Sequence, residues 1–207
     1  MTSPTTSLPQ AVLLMAFDPH TGKPRHHASS ARIIQAAALG ELVVSHRVTV
    51  AGDKVEPRDE TPTGDRVADA VLADLARSGP LLFRNILTAE DFAMKAGTRP
   101  EHIVREDLEA LGLVTTEKGG LLRRTRVATG SSPANELTEQ VSLSVVEGAG
   151  INARLAALIS VLDVYGLLSK VVGEKLSPSD RATVDRIVSG SDFGVGLRRA
   201  VAELDVP

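Results

Sequence analysis

Three arginines lie close together near the middle of the chain, in the segment LLRRTRV (121–127). The residues before it, LVTTEKGG (113–120), form a short run of strand-forming residues that ends in a Gly-rich turn, so the two stretches predict a β-hairpin. Alternate residues of a strand share a face. Arg124 and Arg126 are therefore expected on one face and Arg123 on the other. Two guanidinium groups on one face can hold a phosphate through paired hydrogen bonds.

The same arginines also have a purely structural interpretation. Charged residues on an exposed edge strand prevent that edge from pairing with another chain. The pattern alone leaves both interpretations open.

The segment at about 98–128 also has the order helix, LxxLGLV, hairpin that ends a winged-helix module. A DNA-binding winged helix needs a recognition helix with outward basic and polar residues. The helix here carries more acids than bases, namely Glu101, Glu106, Asp107 and Glu109 against Arg99 and Arg105. A winged-helix DNA-binding regulator is therefore the alternative hypothesis and not the main one.

The histidine pair His26-His27 follows Arg25 in a loop-like segment. No third metal ligand stands at a recognisable spacing, and HExxH is absent. Exposed loop residues are the simpler interpretation, with Arg25 and His26 as candidate anion contacts. A third hypothesis, an enzyme of unrecognised type, would use His26, His27 and nearby carboxylates.

Four acids cluster around the sequence PTGD, namely Asp59, Glu60, Asp65 and Asp69. Paired carboxylates can perform acid–base chemistry or bind a hard cation. In the simpler interpretation, Thr63 or Asp65 caps the following helix and the acids favour its positive end. No phosphate-binding loop, dinucleotide fingerprint or GxSxG motif is found. The sequence predicts no catalytic residue, no metal site and no cofactor.

The composition bounds the class of protein. The chain has 207 residues, 43% of them hydrophobic but only 2% aromatic, so the core must consist of Leu, Val, Ile and Ala. The absence of cysteine excludes disulfides and thiolate ligands. The net charge of −3 means that binding to any polyanion requires a local basic patch. The apolar run AVLLMAF (11–17) fits neither a signal peptide nor a membrane span.

Apolar periodicity and capping signals predict a mainly α, single compact helical domain over 8–205, with two small β-hairpins and a disordered tail at 1–7. The first hairpin is HRVTV with KVEP. Thr88 is expected to start a helix, and Thr98 with Glu101 to form a capping box. Gly112 is expected to end that helix. The chain is expected to finish with four helices, at 135–147, 152–172, 178–189 and 192–204.

Several blocks resemble the Golgi phosphoprotein 3 family, particularly its shorter bacterial members. They are LLMAFDPHTGK (13–23), LGELVVSHRVTV (39–50), TPTGDRVADAVLADL (61–75), LEALGLVTTEKGGLL (108–122) and RLAALISVLDVYGLLSKVV (154–172). They occur in the family's order and span nearly the whole chain.

The resemblance implies a mostly helical domain without enzyme activity, in the cytoplasm or peripheral on the cytosolic face of a membrane. Its eukaryotic relatives bind phosphatidylinositol 4-phosphate in a basic pocket, press a hairpin onto the bilayer and recruit the cytosolic tails of glycosyltransferases. The implied partners are thus an anionic phospholipid headgroup, with phosphatidylinositol 4-phosphate as a candidate, protein tails and further copies of the chain. Nucleic acid is not favoured.

Transferred to this sequence, the tryptophan of the family's pocket falls on His26 and its helix arginine on Gln35, with Arg32 one turn earlier. The basic pair falls near Thr98 and Glu101, with Arg99 between them. The resulting candidates for headgroup contact are Arg25, His26, Arg32, Arg99, Arg123 and Arg124. Leu121 and Leu122 are the candidates for membrane contact at the hairpin.

Overall fold

Capping residues and apolar spacing divide most of the chain into helices. The computed structural model describes residues 6–17, 30–89, 99–119, 122–127, 132–173 and 175–205, with backbone alone at 30, 116–119, 122–127 and 132. Its helices are α1 (Leu8–Met15), α2 (Ser30–Val44), α3 (Arg66–Ser78), α4 (Phe83–Thr88), α5 (Pro100–Ala110), α6 (Ser132–Glu147), α7 (Ala153–Val164), α8 (Leu168–Val172), α9 (Pro178–Ser189) and α10 (Asp192–Leu204). The predicted mainly helical fold is confirmed.

Two small antiparallel sheets complete the described structure. Strands β1 (Val48–Ala51) and β2 (Lys54–Pro57) form the first predicted hairpin, and β3 (Leu81–Leu82) adds a short third strand beside β2. Strands β4 (Val114–Gly119) and β5 (Leu122–Val127) form the second hairpin. The sequence pattern missed β3, because two residues are too few to show alternation.

Helices α2 and α7 form the centre of the fold. Helix α2 contacts α1, α3, α4, α5, α7 and α10, and α7 also contacts α1, α8, α9 and α10. Both are apolar on most of their circumference, as expected of helices buried on several sides. The side chains of Ala36, Ala37, Ala38 and Leu39 are wholly buried in α2. As predicted, the core is built mostly from aliphatic side chains, with Phe83 and Phe193 in contact at a centroid distance of 5.8 Å.

Helix α10 approaches its neighbours very closely at two glycines. A β-carbon on Gly194 would collide with the carbonyl oxygen of Val188 and lie 3.0 Å from the hydroxyl of Ser160. A β-carbon on Gly196 would lie 3.0 Å from the ring of Phe83. The absence of side chains at these positions lets α10 lie directly against the end of α9 and against α4.

An ion-pair network joins the same helices near the surface. The side chain of Asp163 is only 7% exposed, and it pairs with Arg181 at 2.7 Å and with Arg198 at 3.2 Å. Both arginines also pair with Asp185. Although desolvation opposes it, hydrogen bonding from Arg181 and Arg198 lowers the pKa of Asp185. Residues of α7, α9 and α10 are thus held together by one connected set of charges.

Several predicted element boundaries are wrong. Thr88 ends α4 and does not start a helix, because the apolar FRNIL segment is itself helical. The expected helix at 152–172 is two helices, interrupted at Tyr165-Gly166, where Gly166 has a φ of +66°. The N-cap of α5 is Arg99, which makes no capping hydrogen bond, and Thr98 lies outside the described residues.

Other boundaries are confirmed. Helices α9 and α10 have the predicted limits, and Gly112 follows α5 with a φ of +71°. At the start of the chain, Thr6 is buried and Ser7 caps α1. The packed part of the chain therefore includes these two residues of the predicted tail. Residues 1–5 lie outside the described part.

We predict that Gly194→Ala lowers the free energy of unfolding by roughly 1–3 kcal/mol, the usual cost of forcing extra volume into a packed site. The loss is expected even though alanine favours a helix over glycine by about 1 kcal/mol. Urea unfolding measures it. The matched control is Val195→Ala at the next position, whose side chain is half exposed. Equal stability of Gly194→Ala and wild type would contradict the close packing of α10.

Candidate functional site

The structure describes the candidate anion-contact residues to different extents. Arg25, His26 and Leu121 lie outside the described residues. Arg123, Arg124 and Leu122 belong to β5, where the backbone is described. Arg32 and Arg99 are described with their side chains.

Arg32 lies in the first turn of α2 and is exposed. Its side chain forms no ion pair with a carboxylate among the described residues. Its carbonyl oxygen accepts a hydrogen bond from the hydroxyl of Tyr165 at 3.4 Å. Burial of that hydroxyl raises the pKa of Tyr165, and the nearby charge of Arg32 opposes the shift. Arg32 thus places an exposed positive charge in the first turn of α2, and Asp205 is an acid that acts on the same tyrosine.

Arg99 precedes α5, and its side chain is 77% exposed. The nearest carboxylate oxygen belongs to Glu101 at 3.9 Å. Glu101 is itself buried, and its Oε2 atom has no hydrogen-bond partner. The N-cap of α5 is Arg99 and not Thr98. The predicted bond from Glu101 back to Thr98 stays a prediction, because Thr98 lies outside the described residues. A buried carboxylate here repels a second anion, so this end of α5 is a poor place for a phosphate.

Gln35 occupies the position of the family's helix arginine. Its side chain is buried, and its Nε2 atom donates a hydrogen bond to the carbonyl oxygen of Ala89 at 2.6 Å. An amide used in this way holds the segment after α4 against α2. It supplies no charge to a headgroup.

The register of β4 and β5 determines which hairpin residues oppose one another. Arg124 opposes Glu117, and Arg123 opposes Lys118. Directly opposed positions of an antiparallel pair share a face. One face therefore carries an acid beside Arg124, and the other carries two basic residues. The sequence pattern did not single out Lys118. If residues 120 and 121 form the turn, however, Gly119 pairs with Leu122 and Lys118 therefore pairs with Arg123.

The candidate residues do not all lie at one end of the fold. Helix α5 packs against α2, so the elements that carry Arg99 and Arg32 are neighbours. The hairpin instead begins beyond the other end of α5. Eleven helical residues separate that end from Arg99, which is about 16 Å at 1.5 Å per residue.

The motifs LGEL and PTGD converge on a buried polar cluster at the start of α1. Glu41 accepts a hydrogen bond from the backbone N–H of Leu8 at 2.6 Å and pairs with Arg154 at 2.9 Å. A second guanidinium nitrogen of Arg154 donates to the carbonyl oxygen of Thr6 at 2.5 Å. Asp65 accepts from the hydroxyl of Ser7 at 2.5 Å. Glu41 and Arg154 pair with each other, whereas Asp65 has hydrogen bonds in place of a cation.

Asp65 also caps α3, as one of the two sequence alternatives predicted. Its Oδ1 atom accepts from the backbone N–H groups of Val67 at 3.0 Å and Ala68 at 2.8 Å. Desolvation raises the pKa of Asp65, against the opposing effect of the bond from Ser7.

The neighbouring acids have structural partners as well. Asp59 accepts hydrogen bonds from Thr61 and pairs with Arg47. Asp69 accepts from Thr63 and Gly64. In the part of the chain that the structure describes, no group of three acids, histidines or cysteines is placed to hold a metal ion. These carboxylates order the loop before α3.

A mainly helical domain with an internal polar cluster and a basic hairpin after α5 defines the class of this protein, a compact helical scaffold. The family model described as Golgi phosphoprotein 3 (GPP34) matches residues 8–204 of this chain. The chain therefore belongs to that family, as the resemblance predicted. It is not a known enzyme family. None of the curated proteins compared with the chain matches it.

The described helices include none with both the length and the hydropathy needed to cross a bilayer.

We predict that Asp65→Ala lowers the free energy of unfolding by about 1–2 kcal/mol, because the first amides of α3 lose their acceptor. Asp65→Asn should cost less, because asparagine caps almost as well as aspartate. Urea unfolding of both variants at neutral pH measures the difference. A loss for Asp65→Asn equal to that for Asp65→Ala would contradict the capping role.

The raised pKa of Asp65 also predicts a dependence on pH. Ionisation costs more in the folded chain than in the unfolded chain, where the pKa has its ordinary value of 3.8. The stability of wild type relative to Asp65→Asn should therefore fall as the pH rises from below 3.8 through the folded-state pKa, and stay constant above it. An increase over that acidic range would show that the pKa is lowered.

Proposed function

We propose that this protein is a non-enzymatic, peripheral membrane adaptor that contacts anionic phospholipid headgroups through the hairpin β4–β5. Membership of the family over residues 8–204 supports an adaptor role. The observation that carries the lipid proposal is the register that sets Lys118 opposite Arg123. Arg32 supplies a further exposed charge.

Two like charges at directly opposed positions of a hairpin destabilise it. A negatively charged surface would compensate the positive charges of both residues. Each basic residue near such a surface contributes about 1 kcal/mol, so the pair supplies roughly 2 kcal/mol of reversible binding. Leu122 pairs with Gly119 at the end of the ladder, next to Leu121 in sequence. Both leucines would enter the interface between the headgroups.

Recognition in this proposal depends on charge density and not on one headgroup. The buried carboxylate of Glu101 and the amide of Gln35 stand where the family's pocket has cations, which argues against a dedicated phosphatidylinositol 4-phosphate pocket. That lipid would bind in proportion to its charge. Cytosolic protein tails and a second copy of the chain are the further proposed partners, and the protein would act on the cytosolic face of a membrane.

Vesicle flotation at low salt tests the proposal. We expect binding to phosphatidylcholine vesicles that contain phosphatidylserine, and none to phosphatidylcholine alone. Lys118→Gln with Arg123→Gln should weaken binding about 30-fold, the effect of roughly 2 kcal/mol. Glu117→Gln should strengthen it by about fivefold, because it removes the acid that opposes Arg124.

The matched control is Arg84→Gln with Arg199→Gln, which removes the same charge from exposed positions whose ion-pair partner among the described residues is Glu203. Vesicles with phosphatidylinositol 4-phosphate at the same total charge test headgroup preference. Equal loss in both double variants would show that net charge alone matters and would refute a hairpin contact. Tighter binding to duplex DNA than to vesicles would favour the DNA-binding regulator.

A further inference from the structure

A cleft of about 660 Å³ opens at the end of α2 that is remote from Arg32. Four parts of the fold form it: the last turn of α2 with β1, the first turn of α7, the end of α9 and the first turn of α10. Val43 and Val44 lie in its wall, 11 and 12 residues after Arg32, so the two ends are about 17 Å apart. The cleft is thus separate from the candidate headgroup residues.

The wall of the cleft is largely apolar. Val48, Ile187 and Phe193 line it with side chains that are mostly or wholly buried, while Ile151 at its edge is 37% exposed. A volume of this size is typical of pockets that enclose small apolar ligands. Water molecules in such a cleft find few hydrogen-bond partners on its walls, so their replacement by an aliphatic chain would be favourable.

Arg186 and Asp192 are the permanently charged side chains that line the cleft. Arg186 forms no ion pair with a carboxylate in the described part of the chain. The first turns of α7 and α10 also line the cleft, and the N-terminus of a helix carries partial positive charge. Asn152 and Ser191 already cap one amide in each of these turns, and Asp192 opposes the positive charge at the start of α10.

His46 lines the cleft as well, with a φ of +59°, a left-handed conformation that the other described residues adopt only at glycine. Helices usually use glycine at such a C-terminal position. Here the position keeps an imidazole at the mouth of an apolar cleft.

We propose that the cleft binds a single-chain amphiphile, with its aliphatic chain against the valines and its anionic head beside Arg186. A carboxylate or a phosphate head has the same chemistry here, so a fatty acid and a lysophospholipid are both candidate sources.

Displacement of cis-parinaric acid, which fluoresces in apolar surroundings, tests the proposal below the micellar concentration of each competitor. Dodecanoate and dodecyl phosphate should displace the probe, and dodecylamine should do so at least about tenfold less well. Ala153→Leu, at an exposed lining position, should weaken dodecanoate binding by a similar factor because it fills the cleft. Ala110→Leu, exposed on α5, is its matched control.

Arg186→Gln should lower the affinity for dodecanoate about tenfold and leave dodecanol unaffected, with Arg84→Gln as the control.

Displacement only by micelles, or equal effects of Ala153→Leu and Ala110→Leu, would overturn the site. Equal binding of dodecylamine would overturn the role of Arg186. Binding that appears only after deletion of residues 1–5 would assign the cleft to the chain itself. Lys118→Gln with Arg123→Gln should bind dodecanoate normally, which separates this site from the hairpin.

Discussion

The partly buried pair of Glu41 and Arg154 fixes the arrangement on which the rest of the fold depends. The first N–H groups of any helix need acceptors from outside that helix. For α1, Glu41 supplies one of them at Leu8, and a second guanidinium nitrogen of Arg154 donates to the carbonyl oxygen of Thr6. Asp65 adds a bond from Ser7. Because these acceptors and donors come from α2, from the N-terminus of α3 and from α7, one polar cluster sets the position of α1 against three helices.

This cluster explains why the most distinctive sequence motifs are structural. LGEL and PTGD carry the likeness to the family, and their acids are consumed by internal hydrogen bonds. Removing either partner of a buried pair leaves an uncompensated charge, which is far more costly than losing an exposed pair. Gln35 is buried as well, and its bond to the carbonyl oxygen of Ala89 also serves the scaffold.

The parts of the fold that the sequence predicted are those decided by local chemistry. Ser177-Pro178 starts α9, Asp65 caps α3, and Gly112 ends α5, each through bonds made within a few residues. Local chemistry also misled where tertiary packing decided the outcome. The apolar run through Tyr165 looks continuous, but Gly166 turns the chain so that Tyr165 can reach the carbonyl of Arg32. The cleft was missed because it depends on residues brought together from separate segments, whereas the pairing of Lys118 with Arg123 follows from the local turn and could have been predicted.

The net charge of the chain limits how the proposed membrane contact could form. A protein with a charge of −3 is repelled as a whole by an anionic bilayer, so only an orientation that presents a local excess of positive charge can approach. Screening limits electrostatic forces at the surface to about 10 Å, which is shorter than α5. Glu101, at the far end of α5, would then lie beyond that range, whereas Glu106, Asp107 and Glu109 lie in the half of the helix that precedes the hairpin. In the proposed contact, Lys118 and Arg123 must therefore outweigh the acids at that end of α5.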